Sequence, residues 1–295
     1  MQPVGIKKYT CLTLVFVMMA VPAFAADDDV APAPDKSSYT LFNPVPDDLL
    51  RDFSSDRPTK GASPTTVDAG HFQYEADIAN WTYDRYNFSQ TKNSSFTIFD
   101  GVLKEGLTEN SDFELVLSPF NFSHTEAVAS GTKTNAYGFG DVTARIKYNL
   151  FGNEGGDYAL ALTPYIKAPT AEHDIGNGYW EGGLYAPFGA TLIDGWTLGA
   201  LTELDIQENA DRRGMHTNYQ NLVNLNHTLF SKDLTGSIEF WSDVNTDQDS
   251  PTQYSGDLAL AWLVKDNLQL DSGVNIGLNK ATPDAQLYVG ISQRF

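Results

Sequence analysis

The sequence predicts an all-β protein: a transmembrane antiparallel up-and-down β-barrel of about twelve strands, with both termini in the periplasm. Three observations predict it. From residue 67 onward the chain runs in segments of about ten residues in which polar and apolar side chains alternate. The connections between them are alternately long and short. Aromatic residues gather at the ends of the segments rather than at their centres. Period-two alternation sends successive side chains to opposite faces of a strand. In a membrane barrel one face meets lipid and the other the lumen.

Residues 1–25 are expected to be a cleaved signal peptide. Lys7 and Lys8 make a basic start, 11–21 is an apolar run, and Ala23-Phe24-Ala25 has the small-x-small form of a cleavage site. Cys11, the one cysteine of the 295 residues, falls inside it, so the exported chain is expected to carry no disulfide. The whole chain has 19 basic and 38 acidic residues, net −19, and losing Lys7 and Lys8 deepens this to −21. Such a balance excludes nucleic acid as a partner, because that binding rests on neutralising phosphates. Beyond the leader no apolar run approaches the ~20 residues of a membrane helix. The mean hydropathy of −0.30 resembles that of a soluble protein; alternation hides a barrel from such averages.

Residues 26–66 form an acidic, proline-rich periplasmic segment, with Ala31-Pro32-Ala33-Pro34 and Asn43-Pro44-Val45-Pro46 extended. A short amphipathic helix is expected over 47–53, carrying Leu49, Leu50 and Phe53. Two readings stay open: a flexible lead, and a small plug held against or inside the barrel mouth.

The barrel itself is 67–295. Its first strand, about 70–82, sets Phe72, Tyr74, Ala76 and Ile78 against Gln73, Glu75 and Asp77. The second and third are placed at about 95–104 and 112–122. The fourth, 142–150, alternates most cleanly, with Asp141, Thr143, Arg145, Lys147 and Asn149 on one face. Then come about 157–167 and 183–193, the Asp194-Gly195 hairpin turn, and 196–207. The eighth, 218–230, is less clear because Asn221 falls on its lipid face. The last four are 234–244, 254–264, 268–279 and 285–295.

Connections 83–94, 123–138, 168–182, 208–217 and 245–253 are long and polar, whereas 151–156, 194–195, 231–233 and 265–267 are short. Only 105–111 and 280–283 depart from this rhythm. Membrane barrels have short periplasmic turns and longer outer loops, and an even strand number brings both termini to the periplasm. Tyr148, Phe151, Tyr158, Trp196, Phe230, Trp262 and Phe295 fall at turn ends. Trp81, Tyr83, Tyr137, Phe139, Tyr179 and Trp180 fall at loop ends. Two such girdles belong at headgroup level.

This register sends Glu75, Asp77, Glu114, Asp141, Glu203 and Asp205 inwards, followed by Glu239, Asp243, Asp257 and Asp271. The inward bases are Arg145, Lys147, Lys167 and Arg294. Ten acids against four bases predict an acidic lumen that favours cationic solutes. The same side chains could instead pair across the strands and fill a narrow barrel; both readings stay open.

No chemistry of catalysis emerges. His71, His124, His173, His216 and His227 are scattered, and no serine lies in a nucleophile elbow. No metal-ligand spacing or phosphate-cradling glycine loop is found. Asp243-x-Asn245-x-Asp247-x-Asp249 resembles the start of a calcium loop. It has Gln248 where glycine is needed and Tyr254 in place of the bidentate Glu, so a solvated acidic loop is expected. The protein is therefore expected to be no enzyme, without metal or cofactor.

Three stretches carry a family resemblance. Asp56-Arg57-Pro58 through Ser63-Pro64 to Thr66-Val67-Asp68-Ala69-Gly70-His71-Phe72-Gln73-Tyr74-Glu75 is the first. Gly138-Phe139-Gly140-Asp141-Val142-Thr143-Ala144-Arg145-Ile146-Lys147-Tyr148 is the second, and Pro164-Tyr165-Ile166-Lys167-Ala168-Pro169-Thr170 the third. Together they resemble the outer-membrane family named for the meta-pathway of phenol degradation. The resemblance implies a Gram-negative outer-membrane transporter or channel for passive passage of small molecules, apolar or aromatic by the family name. The closing strand, with Tyr288 and Phe295, also resembles the carboxy-terminal signal read by the barrel-assembly machinery. Expected partners are then that machinery, outer-membrane lipid and a small-molecule solute. The alternative is a non-conducting structural or surface-interaction barrel.

Overall fold

The computed structural model describes residues 34–295 apart from Asp194 and Asp249. The expected leader, the turn residue Asp194 and the last acid of the calcium-like run lie outside the described residues. Fifteen strand segments form one antiparallel sheet. They are β1 (Phe72–Asp84), β2 (Thr91–Ile98), β3 (Gly101–Thr108), β4 (Ser111–Leu117), β5 (Phe120–Ala127) and β6 (Lys133–Gly138). There follow β7 (Val142–Phe151), β8 (Tyr158–Ala168), β9 (Glu181–Ile193), β10 (Trp196–Glu208) and β11 (Met215–Thr228). The last are β12 (Leu234–Asn245), β13 (Gln253–Lys265), β14 (Leu268–Gly277) and β15 (Ala285–Arg294).

The sheet closes because β15 pairs with β1, from Gln73 opposite Arg294 to Tyr83 opposite Ala285. On its other side β1 pairs with β3 along its first half and with β2 along its second. So β2 and β3 make one spanning strand, broken at Phe99 and Asp100. Likewise β4 with β5 and β6 with β7 make one strand each, interrupted at 118–119 and 139–141. Counted this way, twelve strands close the barrel.

Its burial is inverted relative to a soluble fold. Glu75, Lys104, Asp112, Glu114 and Lys147 are buried, while Ile238, Phe240, Leu258, Leu260 and Trp262 are exposed. Charged groups are almost never buried unless paired, and a contiguous exposed apolar belt marks an interaction surface. Hydrocarbon outside and polar groups inside satisfy both halves of the pattern. A barrel closed along the whole of β1 should resist detergent until boiled. Unboiled samples are expected to migrate differently on a gel, and identical mobility before and after boiling would refute closure.

Four expectations are corrected. The connections 83–94 and 123–138 are not long loops: β2 begins at Thr91, and β5 and β6 occupy most of 123–138. Their Ser, Thr, Asn and Lys content reads as loop. Yet β2, β5 and β6 pair residue for residue, from Thr91 opposite Ala127 and from Glu126 opposite Lys133. The misplaced ends of the second to fourth strands follow from the interruptions. Phe99 has φ 56°, Pro119 lacks an N–H, and Gly140 lies in the third gap. The expected 105–111 connection shrinks to residues 109–110, which removes one exception to the short-turn rule. The helix expected at 47–53 is only a 3-10 turn, Asp47–Leu49, because the residues beyond it are spent on contacts described below. Asn221 does lie on the outward face, where the Thr202 hydroxyl donates to its Oδ1 at 2.9 Å.

Candidate functional site: a charged interior and the segment inside it

Residues 51–67 contact side chains of β1, β3, β4, β7, β11, β12, β13, β14 and β15. A segment that touches strands all round a closed barrel must run through its interior. Three clusters hold it.

At the turn end, Asp68 is buried among Lys36 (3.2 Å), Arg51 (3.4 Å) and Arg294 (3.6 Å). Arg51 also bonds Glu154 at 2.6 Å, and Arg294 donates to the Arg51 carbonyl at 2.9 Å. At the centre, Asp56 accepts from Lys104 (2.7 Å) and Lys147 (3.1 Å). Lys104 in turn pairs with Glu75, and Lys147 with Glu114 at 3.0 Å. Glu75 accepts the Asp56 N–H at 2.8 Å and the Ser55 hydroxyl at 2.9 Å.

Across the barrel, Arg57 reaches Asp77 at 2.6 Å and forks onto Asp271 at 2.7 and 3.1 Å. Its guanidinium lies over the Tyr288 ring, whose hydroxyl donates to the Pro58 carbonyl at 2.6 Å. Gly290 makes room for it: a Cβ there would run into the guanidinium. Lys60 bonds Asp257 at 2.6 Å and Ser255 at 2.7 Å and sits over Trp241, while its N–H donates to Glu239 at 3.0 Å.

The arrangement is polar across the lumen. On one side the wall bases Lys104, Arg145, Lys147 and Lys167 of β3, β7 and β8 are interleaved with the acids Glu75 and Asp77 of β1 and Asp112 and Glu114 of β4. Acids stand on β10 and β12–β14, as Glu203, Asp205, Glu239, Asp243, Asp257 and Asp271. Asp56 faces the first group, while Arg57 and Lys60 face the second. Removing one partner of such a buried pair leaves an uncompensated charge in the interior, which makes these pairs costlier to break than surface pairs.

The remaining candidates lie elsewhere. Asp141 pairs with Lys167 at 3.2 Å, and Lys167 with Glu181 at 2.6 Å, near the loop end. Arg145 lies over Tyr185. Asp205 is held by neutral donors, namely Tyr165 at 2.5 Å and Asn218 and Gln220 at 3.3 Å, with Glu203 on the same face of β10. Tyr185, Leu201 and Leu222 form an apolar patch with Tyr165, Trp241 and Ala62 of the inner segment. Phe295 packs on Phe72 and Tyr74 at the closing seam. In the calcium-like run, Asn245 accepts the Asp247 N–H and Asp247 the Ala210 N–H, so these oxygens serve the loop itself.

Sequence reasoning missed Lys36, Arg51, Asp56, Arg57, Lys60 and Asp68, because only strand positions were counted towards the lumen, and it missed Lys104 as a strand end. The expected ratio of ten acids to four bases narrows accordingly: Lys36, Arg51, Arg57, Lys60 and Lys104 add cations, while Asp56 and Asp68 add two more acids. One signal was available. The first family-like stretch begins at Asp56-Arg57-Pro58, well before the first strand, and a slack tether gives no reason for a motif.

A profile of the family described as "Putative MetA-pathway of phenol degradation" matches residues 55–295. The chain belongs to this family. The MetA-pathway match starts at residue 55, so it takes in Asp56, Arg57 and Lys60 together with the barrel. Among solved structures, the COG4313 outer membrane channel from Pseudomonas putida F1 superposes with a TM-score of 0.61 at 17% identity. The match covers 82% of this chain and 100% of that one. That likeness shows a shared fold. The β-domain of the Bordetella autotransporter BrkA gives 0.49 at 8% identity, covering 76% of this chain and 98% of that one. The KdgM porin gives 0.46 at 9%, covering 76% and 99%. A search among proteins of curated function finds no match. The chain therefore has a closed twelve-stranded barrel resembling an outer-membrane channel, with residues 51–67 across the interior.

Proposed function

We propose that this protein is an outer-membrane channel for passive passage of small solutes, and that residues 51–67 set whether it conducts. In this reading 1–25 is a cleaved leader, 26–66 a periplasmic segment acting as a plug, and 67–295 the barrel. The loop ends face outward and both termini are periplasmic, in keeping with short periplasmic turns. The candidate charges on the strands line the pathway.

One observation carries the reading. Among the described residues, 51–67 makes no backbone–backbone hydrogen bond to the wall; side-chain bonds and ion pairs hold it. It can leave without breaking the sheet. A lumen filled for rigidity alone would be filled by wall side chains. Small apolar or aromatic molecules are the solute class we infer from the family description, supported by the interior patch of Tyr165, Tyr185, Leu201, Leu222 and Trp241.

Planar bilayers and liposome swelling test it. Variants that weaken the segment's contacts are expected to give stable single-channel steps and solute-dependent swelling. Silence from intact barrels of those variants would favour the non-conducting reading and sink this one. The acid wall should also show in selectivity. Added to a conducting variant, Glu203→Gln with Asp205→Asn is expected to move the reversal potential in a salt gradient towards zero from a cation-selective value. An unchanged potential would remove these two residues from the pathway.

A further inference from the structure

The outward face of β1, β2, β5 and β6 carries three successive cross-strand rows at the loop end. The lowest is aromatic: Trp81 stands opposite Phe96, Phe96 opposite Phe122, and Phe122 opposite Tyr137. All four are exposed. Below it on the same face are Ile98 and Phe120. One row up are Tyr83, Ser94, His124 and Asn135. Trp81 donates to Ser94 at 2.9 Å and stacks on Tyr83, and His124 meets Asn135 at 2.7 Å, which places both rows on one face. The top row is Lys92, Glu126 and Lys133. Lys92 is 3.2 Å and Lys133 3.8 Å from the one carboxylate, with the two ammonium-bearing side chains 42% and 61% exposed. Arg85 follows Tyr83 with the same parity, directly after β1.

Three cations therefore stand with Glu126 on one outer surface of a chain whose net charge is −19, and at the edge of the row the Asp284 carboxylate accepts the Arg85 N–H at 2.8 Å. They stand four residues, ~13 Å along the strand, above the aromatic row. Aromatic side chains mark the level where hydrocarbon gives way to headgroups, and long basic side chains there reach lipid phosphates. Near the loop ends of β10, β11 and β14 the outward residues Ile206, Met215 and Ile276 are apolar, in contrast to this side of the barrel.

We propose that Arg85, Lys92 and Lys133 form a docking site for the phosphorylated headgroup of an outer-leaflet glycolipid, with Trp81, Phe96, Phe122 and Tyr137 against its acyl chains. Charge complementarity selects the headgroup, and the aromatic row supplies the apolar half of the contact. The assignment to the outer leaflet rests on the orientation proposed above; the binding chemistry does not.

The test is native mass spectrometry of the full-length protein in detergent with bis-phosphorylated lipid A as probe. The barrel is expected to retain lipid A and to hold its dephosphorylated form at least tenfold less well. Arg85→Gln, Lys92→Gln and Lys133→Gln combined should weaken retention by about tenfold. Glu126→Gln, which frees both lysines from their internal partner, should strengthen it. Heat-modifiable mobility checks that each variant is folded. Equal retention of the dephosphorylated lipid, an unaffected triple variant, equal retention of phosphatidylglycerol, or displacement by millimolar inorganic phosphate would each overturn the site. Orientation is read separately by labelling Lys133→Cys in intact cells with a membrane-impermeant maleimide. Labelling supports the outer leaflet; its absence overturns that assignment even where lipid A binds in detergent.

Discussion

Replacing Arg57 and Lys60 together with alanine is expected to produce large, stable conductance steps in planar bilayers, where the wild-type protein is expected to conduct little. Arg57 bonds Asp77 and both oxygens of Asp271, whose side chain is fully buried; Lys60 bonds Asp257, whose side chain is 4% exposed. Truncating the cations leaves these carboxylates in a low-dielectric wall with no counter-charge, unless water enters. Breaking one partner of a buried pair costs about 3–5 kcal/mol. Even ~3 kcal/mol lost from the docked segment changes its docked-to-released ratio by more than a hundredfold, at about 1.4 kcal/mol per decade. Water can solvate the carboxylates only once the segment moves, so the penalty falls on the closed state. Arg57→Lys keeps the charge but loses the fork onto Asp271, and should give an intermediate open fraction. If the double variant forms an intact barrel and conducts no more than wild type, residues 51–67 do not control passage.

The second large effect reaches the same state without removing a charge. Gly290→Val is expected to open the channel too, because a side chain on that inward position of β15 occupies the volume of the guanidinium. Overpacking a close contact costs about 1–3 kcal/mol, which is about fivefold to somewhat over a hundredfold in the open population. The cycle with Arg57→Ala is the decisive measurement. Once Arg57 is truncated the valine has nothing to collide with, so the double variant should open no more than Arg57→Ala alone. Strict additivity would mean that Gly290 acts on the barrel itself and not through Arg57.

Much of the fold was legible locally. The alternation of Val142 to Leu150, the Trp196 to Gln207 register and the strand from Ala285 onward all fall within β7, β10 and β15, with the parities expected. Where apolar alternation gives out, the reading failed. In β5 and β6 the outward residues Glu126, Asn135 and Lys133 are polar like their inward neighbours, and only pairing with β2 makes these segments strands. The interior was read from one side. Asp257, Asp271 and Lys147 were placed by parity, but their partners Lys60, Arg57 and Asp56 sit on a segment with no periodicity to follow.

Two kinds of information separate here. The strand count, the face on which each strand residue sits and the membrane-facing belt are properties of neighbours in sequence, because a strand's side-chain period is two wherever it is placed. Those the chain determines by itself. The pairing of Arg57 with Asp271 spans 214 positions, and that of Lys60 with Asp257 spans 197. No local rule joins such groups. They meet because β15 closes on β1 and wraps the sheet around whatever lies inside it. The same closure decides that a stretch written as a tether becomes the inner ligand of its own barrel, since only an enclosed low-dielectric interior makes unpaired carboxylates costly enough to hold it.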